Sequence, residues 1–329
     1  MYHQTHIRAV AKDGTSGYGR GMSDADTMQV FDRQLVRRHR DRAAATIADH
    51  DFLLREVGSR LAERLELIRR SFPRVLDLGC HGGEMAGLLQ GLSGIQTIIQ
   101  ADMSPRMAGV AGAANGTPVL AADEELLPFA PGSFDMVVSN LSLHWVNDLP
   151  GSLIQVRRAL RPDGLFIAAM FGGDTLFELR RALMEAESEI LGGVSPRISP
   201  MAGLRDAAGL LQRAGFALPV ADMDTLTVSY ANPFRLLSDL RGMGETNAAL
   251  ARLRRPMPSA LLARTMERYV ELFAEEDGSV PATFEVIFLA GWSPDASVQQ
   301  QPAKRGSASH RLAEVLGEIG QGQPPAKPH

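Results

Sequence analysis

Three places in the chain put glycines or carboxylates where a parallel strand would end. Val75-Leu76-Asp77-Leu78-Gly79-Cys80-His81-Gly82-Gly83 is an apolar run that breaks into a glycine-rich turn. Such a turn lets backbone approach a ligand closely, and the helix that follows offers free N–H groups. Asp102 ends a second apolar run, where a carboxylate can accept both hydroxyls of a ribose. Asp123-Glu124 closes a third run. Together these are groups suited to an adenosine-containing ligand. A nicotinamide enzyme shares the first two features, but Asp77 ahead of the turn and the Asp123-Glu124 pair argue against it.

His144-Trp145 follows a fourth apolar run, which in the usual order of such sheets lies beside the first and brings His144 and His81 to one end of the crevice. His144 suits a base or hydrogen-bond donor, or a structural histidine bonded to a neighbouring loop. Trp145 suits a pocket wall, with a face on which a cation can stack. After a fifth run, Asp174 or Thr175 of Gly172-Gly173-Asp174-Thr175 either caps the next helix together with Glu178, or Asp174 or Glu178 pairs with a guanidinium. Cys80 reads as a small buried side chain, and Gly242-Met243-Gly244-Glu245 as a plain loop or a lid hinge. An iron site from His81, His144 and Asp148 has no supporting ligand spacing, so no metal is expected.

These residues need strands at 75–78, 97–102, 119–122, 134–139 and 165–170, separated mostly by helices near 83–91, 104–113, 149–160 and 174–191. Two helical segments precede them, near 24–48 and 51–71. Two later strands are expected at 225–230 and 283–291, with a helical insertion between. The alternation predicts an α/β fold: a doubly wound, mostly parallel seven-stranded, Rossmann-like sheet with its ligand outside the carboxyl ends of the strands. The first helix is unusually basic, holding Arg33, Arg37, Arg38, Arg40 and Arg42. It reads as a solvated face or as a docking surface for an anionic partner.

Composition removes several chemistries. The 329 residues are 45% hydrophobic and 22% charged, as in an ordinary globular protein, and the net charge of −4 gives no reason to expect nucleic acid. The only lysines are Lys12, Lys304 and Lys327, all in the terminal tails, so Schiff-base chemistry and a phosphate-loop lysine are excluded from the folded body. A single cysteine excludes an intrachain disulfide and fits a reducing compartment. No apolar run is long enough to span a bilayer as a helix.

On Asp77-x-Gly79-x-x-x-Gly83, Asp102, Asp123-x-x-x-Leu127-Pro128-Phe129, Phe134-Asp135-Met136-Val137-Val138-Ser139 and Arg161-Pro162-Asp163-Gly164, the chain resembles class I S-adenosylmethionine-dependent methyltransferases. The resemblance implies S-adenosylmethionine as cofactor, with Asp77, Gly79, His81 and Gly83 toward its methionine part, Asp102 on the ribose, and Asp123 and Glu124 reaching the adenine. Met103 and Asn140 join them as cofactor contacts. His81 stands where that family has a middle glycine; the turn is expected to shift by one residue and use Gly82, the alternative being weaker cofactor binding.

More narrowly, the chain resembles the complex I assembly factor 5 family of arginine hydroxylases, and less closely the carrier-protein methyltransferases of biotin synthesis. Phe31-Asp32-Arg33, Asp41-Arg42-Ala43-Ala44, Glu56-Val57-Gly58-Ser59-Arg60, Leu143-His144-Trp145-Val146-Asn147-Asp148-Leu149-Pro150, Ala169-Met170-Phe171-Gly172-Gly173-Asp174-Thr175-Leu176 and Gly278-Ser279-Val280-Pro281-Ala282-Thr283 carry it. It implies an arginine of a complex I subunit near the quinone site, modified during assembly by hydroxylation or methylation. His144, Trp145 and Asp174 are then the candidate catalytic residues. The setting would be cytoplasmic, peripheral at the inner face of the respiratory membrane. A methyltransferase acting on a small-molecule or carrier-bound carboxylate and a non-enzymatic assembly chaperone are the alternatives. The expected layout is a flexible extension over 1–22 (with Met22 an alternative start), N-terminal helices covering the site over 23–73, the binding core over 74–231, an insertion or lid over 232–280, the last strand over 281–292 and a tail over 293–329.

Overall fold

The computed structural model describes residues 29–92 and 94–295. The extension over 1–22 and the short helical pattern near 312–319 lie outside them. Seven strands form one sheet: β1 Arg74–Leu78, β2 Thr97–Asp102, β3 Val119–Ala121, β4 Phe134–Asn140, β5 Leu160–Phe171, β6 Ala217–Tyr230 and β7 Val280–Trp292. Their order is β3-β2-β1-β4-β5-β7-β6. The first five run parallel, and β7 inserts antiparallel between β5 and β6.

Side chains alternate across the central strands, as a sheet covered on both faces requires. Val75, Met136, Val138, Leu165 and Ile167 enter one apolar cluster, while Leu76, Leu78, Val137, Phe166 and Ala168 enter the other. The helices are α1 Arg33–Ala43, α2 Phe52–Glu66, α3 Glu84–Leu89, α4 Pro105–Asn115, α5 Leu149–Ala159, α6 Phe177–Leu191, α7 Leu204–Arg213, α8 Pro233–Gly242 and α9 Ser259–Phe273. None of them is long and apolar enough to cross a membrane.

The sequence sets where the helices beside the sheet's carboxyl rim begin. Asp32 caps α1 by accepting from the Leu35 N–H, Ser104 caps α4 ahead of Pro105, and Asp148 caps α5 ahead of Pro150. Asp148 is thereby a cap and not a ligand. Among the described residues of the span 24–48, helix covers only Arg33–Ala43 with a 3-10 turn from Ile47, and α7 was not anticipated. The expected insertion is there as α8 and α9, with the loop over 243–258 between them carrying no regular element.

Candidate functional site

The turn after β1 opens the carboxyl rim. Gly79 and Gly83 take φ of +71° and +93°, and His81 between them takes +48°. Gly82 does not adopt a left-handed conformation, so the strained middle position of the turn falls on the histidine. A left-handed side-chain-bearing residue costs on the order of 1 kcal/mol. The His81 ring turns inward, with Nε2 3.1 Å from the Leu141 carbonyl oxygen. Burial and the nearby Arg40 charge hold its pKa below the usual range. Cys80 is buried, and burial together with the acids around it pushes its thiol well up, leaving it inert.

Asp77 is fully buried and neither carboxylate oxygen has a hydrogen-bond partner. Burial, with Glu84 and Asp102 adding repulsion, raises its pKa to about 8. Asp102 behaves differently. Its Oδ1 accepts from the Ser104 N–H (2.7 Å), while Oδ2 accepts from Arg40 Nη1 (3.1 Å) and the His81 N–H (3.3 Å).

The basic helix supplies that arginine. Arg33 and Arg40 stand seven residues apart on one face of α1, and both point at the rim acids rather than at solvent. Arg40, 1% exposed, also donates from Nη1 to Glu124 Oε1 (2.9 Å) and from Nη2 to Ser142 Oγ (2.8 Å). Ser142 Oγ in turn donates to Glu124 Oε1 (2.6 Å). Arg33 donates to Asp123 Oδ1 (2.5 Å), to Glu124 and to the Trp145 carbonyl (3.1 Å). Although burial alone would raise it, the two guanidinium charges hold Glu124 far below the usual carboxylate range. The reading of this helix as wholly solvated or partner-facing is therefore corrected for Arg33 and Arg40; Arg37, Arg38 and Arg42 do face outward.

On the far side of β4, the 3-10 turn Leu143–Trp145 meets the loop after α8. His144 Nε2 lies 3.0 Å from Glu245 Oε2, and Trp145 Nε1 donates to the same carboxylate (3.0 Å). Desolvation pushes Glu245 up, but His144, His81 and the indole N–H outweigh it, and the carboxylate sits below its ordinary pKa. A cavity of about 430 Å³ opens beside this cluster, walled by Trp145, Phe171, Leu240, Met266 and Phe284 among others. Glu245 is the one carboxylate on its wall among the described residues. Phe31 packs edge-on against Trp145 with ring centroids 5.3 Å apart and pairs with Ala249 in an isolated bridge, so the start of α1 is tied to both the indole and the loop.

Asp77, Gly79, His81, Gly83, Asp102, Asp123 and Glu124 thus gather at the rim, and His144 with Trp145 beside the cavity. Other candidates go elsewhere. Asp174 is exposed in the turn before α6, and that helix begins at Phe177 behind an N-cap residue, Leu176, that makes no side-chain cap, so Asp174 does not cap it. Glu178 is consumed by the Thr283 hydroxyl and N–H. Asn140 donates to the Leu54 carbonyl (2.8 Å), anchoring α2, and Met103 packs with Phe31, Val36, Trp145 and Ala248. Arg33, Arg40, Ser142 and the role of Glu245 were missed. The seven-residue spacing of the two arginines on a helix whose other buried positions include Val36 and Ala43 was the available signal. No group of three or more potential metal ligands occurs among the described residues.

Residues 76–168 match the model of a methyltransferase domain. The solved structure of a Bacillus halodurans protein designated a methyltransferase covers 72% of this chain and all of its own at 16% identity and a TM-score of 0.51, which supports the class I methyltransferase fold. The malonyl-[acyl-carrier protein] O-methyltransferase of Laribacter hongkongensis is 35% identical over 277 residues, 80% of this chain and 91% of its own. The mitochondrial arginine-hydroxylase NDUFAF5 of Homo sapiens is 44% identical over 320 residues, 96% of this chain and 92% of its own. With that identity sustained across nearly both full lengths, the chain belongs to the NDUFAF5 arginine-hydroxylase family.

Proposed function

We propose that the protein is an S-adenosylmethionine-binding enzyme that modifies an arginine side chain of a respiratory complex I subunit during assembly. The arrangement that carries the reading is the Glu245 carboxylate at the cavity wall, held by His144 and Trp145 next to the adenosine-type rim. A guanidinium entering the cavity needs one carboxylate to pair with and an aromatic wall to lie against, and Glu245 and Trp145 offer both, against Arg197, Arg241 and Arg252 on the same wall.

The rim fits the cofactor. Asp77 is a buried carboxylate without a partner, suited to an ammonium group, and Gly79 and Gly83 bring the backbone of the turn close to Ser142 and Asn115. Asp102 would hold the ribose hydroxyls, and Asp123 with the backbone beside it the adenine edge. When bound, S-adenosylmethionine supplies an activated methyl group. His144 and Trp145 orient Glu245, Glu245 fixes the substrate cation, and the walls of the cavity exclude water. The outward Arg37, Arg38 and Arg42 offer a cationic surface for the partner subunit or an anionic membrane face.

Mass spectrometry of the partner subunit from cells with and without this gene tests the reading. An arginine heavier by one oxygen identifies a hydroxylase, and one heavier by a methylene a methyltransferase. An arginine of identical mass in both samples would refute the proposal and leave a chaperone. The second reading, a carrier-bound carboxylate substrate, has Arg241 and Arg252 on the cavity wall in its favour, and methyl ester formation on a carrier-bound acid would identify it.

A further inference from the structure

The rim acids that suit a ribose and an adenine are already in use. Arg40 occupies Asp102 and Glu124 from a position only 1% exposed, and Ser142 closes the face of the glycine turn: a Cβ built on Gly79 would lie 2.0 Å from Ser142 Oγ. The 430 Å³ cavity is lined by none of Asp77, Gly79, Asp102 or Glu124. Asp102 already serves the Ser104 and His81 N–H groups besides the guanidinium, so a ribose diol and Arg40 cannot both hold it with good geometry.

We infer that Arg40 is a built-in competitor of the cofactor, a plug on α1 that holds the crevice shut until a ligand takes Asp102 from it. The inference rests on the reading of the crevice as the S-adenosylmethionine site. Arg33, which pairs with Asp123 and Glu124, keeps buried Glu124 neutralised while Arg40 departs. The plug is carried by a short helix. Its helix is 11 residues long, it buries chiefly Val36, His39, Arg40 and Ala43, and the backbone of Arg40 lies against Gly244, 3.6 Å from where a Cβ there would sit. Displacement of Arg40 therefore bears directly on the loop that carries Glu245. Loading the crevice thereby acts on the cavity wall at Glu245, Thr246 and Asn247, which orders the two binding events with cofactor first.

The test uses the purified full chain with S-adenosylhomocysteine as probe. Calorimetry should show Arg40→Met binding about tenfold or more tighter than wild type, because the closed form no longer subtracts from affinity. Since that variant leaves buried acids without a counter-ion and could fail to fold, hydrogen exchange on the wild type gives a second reading: amides of residues 33–43 should exchange faster when the probe is bound. Equal or weaker binding by a folded Arg40→Met, or slower exchange in α1 on binding, would overturn the plug while leaving the cofactor site standing. Absence of binding by both proteins at millimolar probe would overturn the cofactor site and the plug together.

Discussion

Arg40 Nη1 lies 3.1 Å from Asp102 Oδ2 and 2.9 Å from Glu124 Oε1, so one guanidinium neutralises the ends of two neighbouring strand loops from a helix far upstream in the chain. All three groups are essentially inaccessible to water. A buried ion pair contributes little against a well-packed apolar substitute, but losing one partner strands the other in a low-dielectric interior.

Glu124→Gln should therefore destabilise the protein by about 3–5 kcal/mol. For a domain of this size each kcal/mol is worth roughly 2–4 °C in Tm, so scanning calorimetry should show a fall of about 6–20 °C. A fall within about 1 °C of wild type would mean that the network is solvated and the pairing unimportant.

Asp77 gives a pH signature of opposite sign to the usual carboxylate. Its pKa in the folded protein is raised to about 8, so across pH 4 to 8 the folded state keeps a proton that the unfolded chain has lost. The stability it confers is complete at acid pH and is lost as pH rises through that window. Asp77→Asn should flatten the fall in Tm, leaving a smaller slope from Glu84, whose pKa burial raises to about 7. Equal slopes for wild type and variant would contradict the burial assigned to Asp77.

His39 works in the other direction. Burial lowers its pKa to about 4, helped by Arg42 and Arg252 and opposed by the Thr246 backbone and Glu245. Its contribution is present above pH 6.5 and disappears as pH falls toward 4, because the unfolded ring takes up a proton that the folded one refuses. Amide exchange in α1, corrected for intrinsic rate, should accelerate below pH 6 in wild type and lose that dependence in His39→Gln. Identical profiles would show that the ring is not held neutral.

Much of this molecule was legible in its sequence. The strands over 75–78, 97–102 and 134–139 stand within one residue of their expected bounds, because short β-branched and aliphatic runs bounded by Gly, Asp and Pro have few other ways to fold. The glycine turn and rim acids followed from the strand ends. What stayed hidden was pairing across long stretches of chain. Arg40 finds Asp102 62 residues away, and His144 finds Glu245 101 residues away. Local periodicity says that α1 has a buried face but not that arginines rather than leucines belong on it. The same limit explains Asp174: a polar residue after a strand resembles a cap until the start of the next helix is fixed, and here the N-cap falls at Leu176, past Asp174.

The most direct test of the account joins the two halves of the site to one chemical readout. Cells lacking the gene would be complemented with wild type, Asp102→Asn, Glu245→Gln or Asp174→Asn, each confirmed at wild-type protein level, and the arginine of the partner subunit weighed by mass spectrometry. The account predicts that wild type and Asp174→Asn restore the added mass, while Asp102→Asn and Glu245→Gln reduce the modified fraction at least about tenfold, the loss expected when one charged hydrogen-bonding partner is removed. Full modification by Asp102→Asn and Glu245→Gln would contradict it.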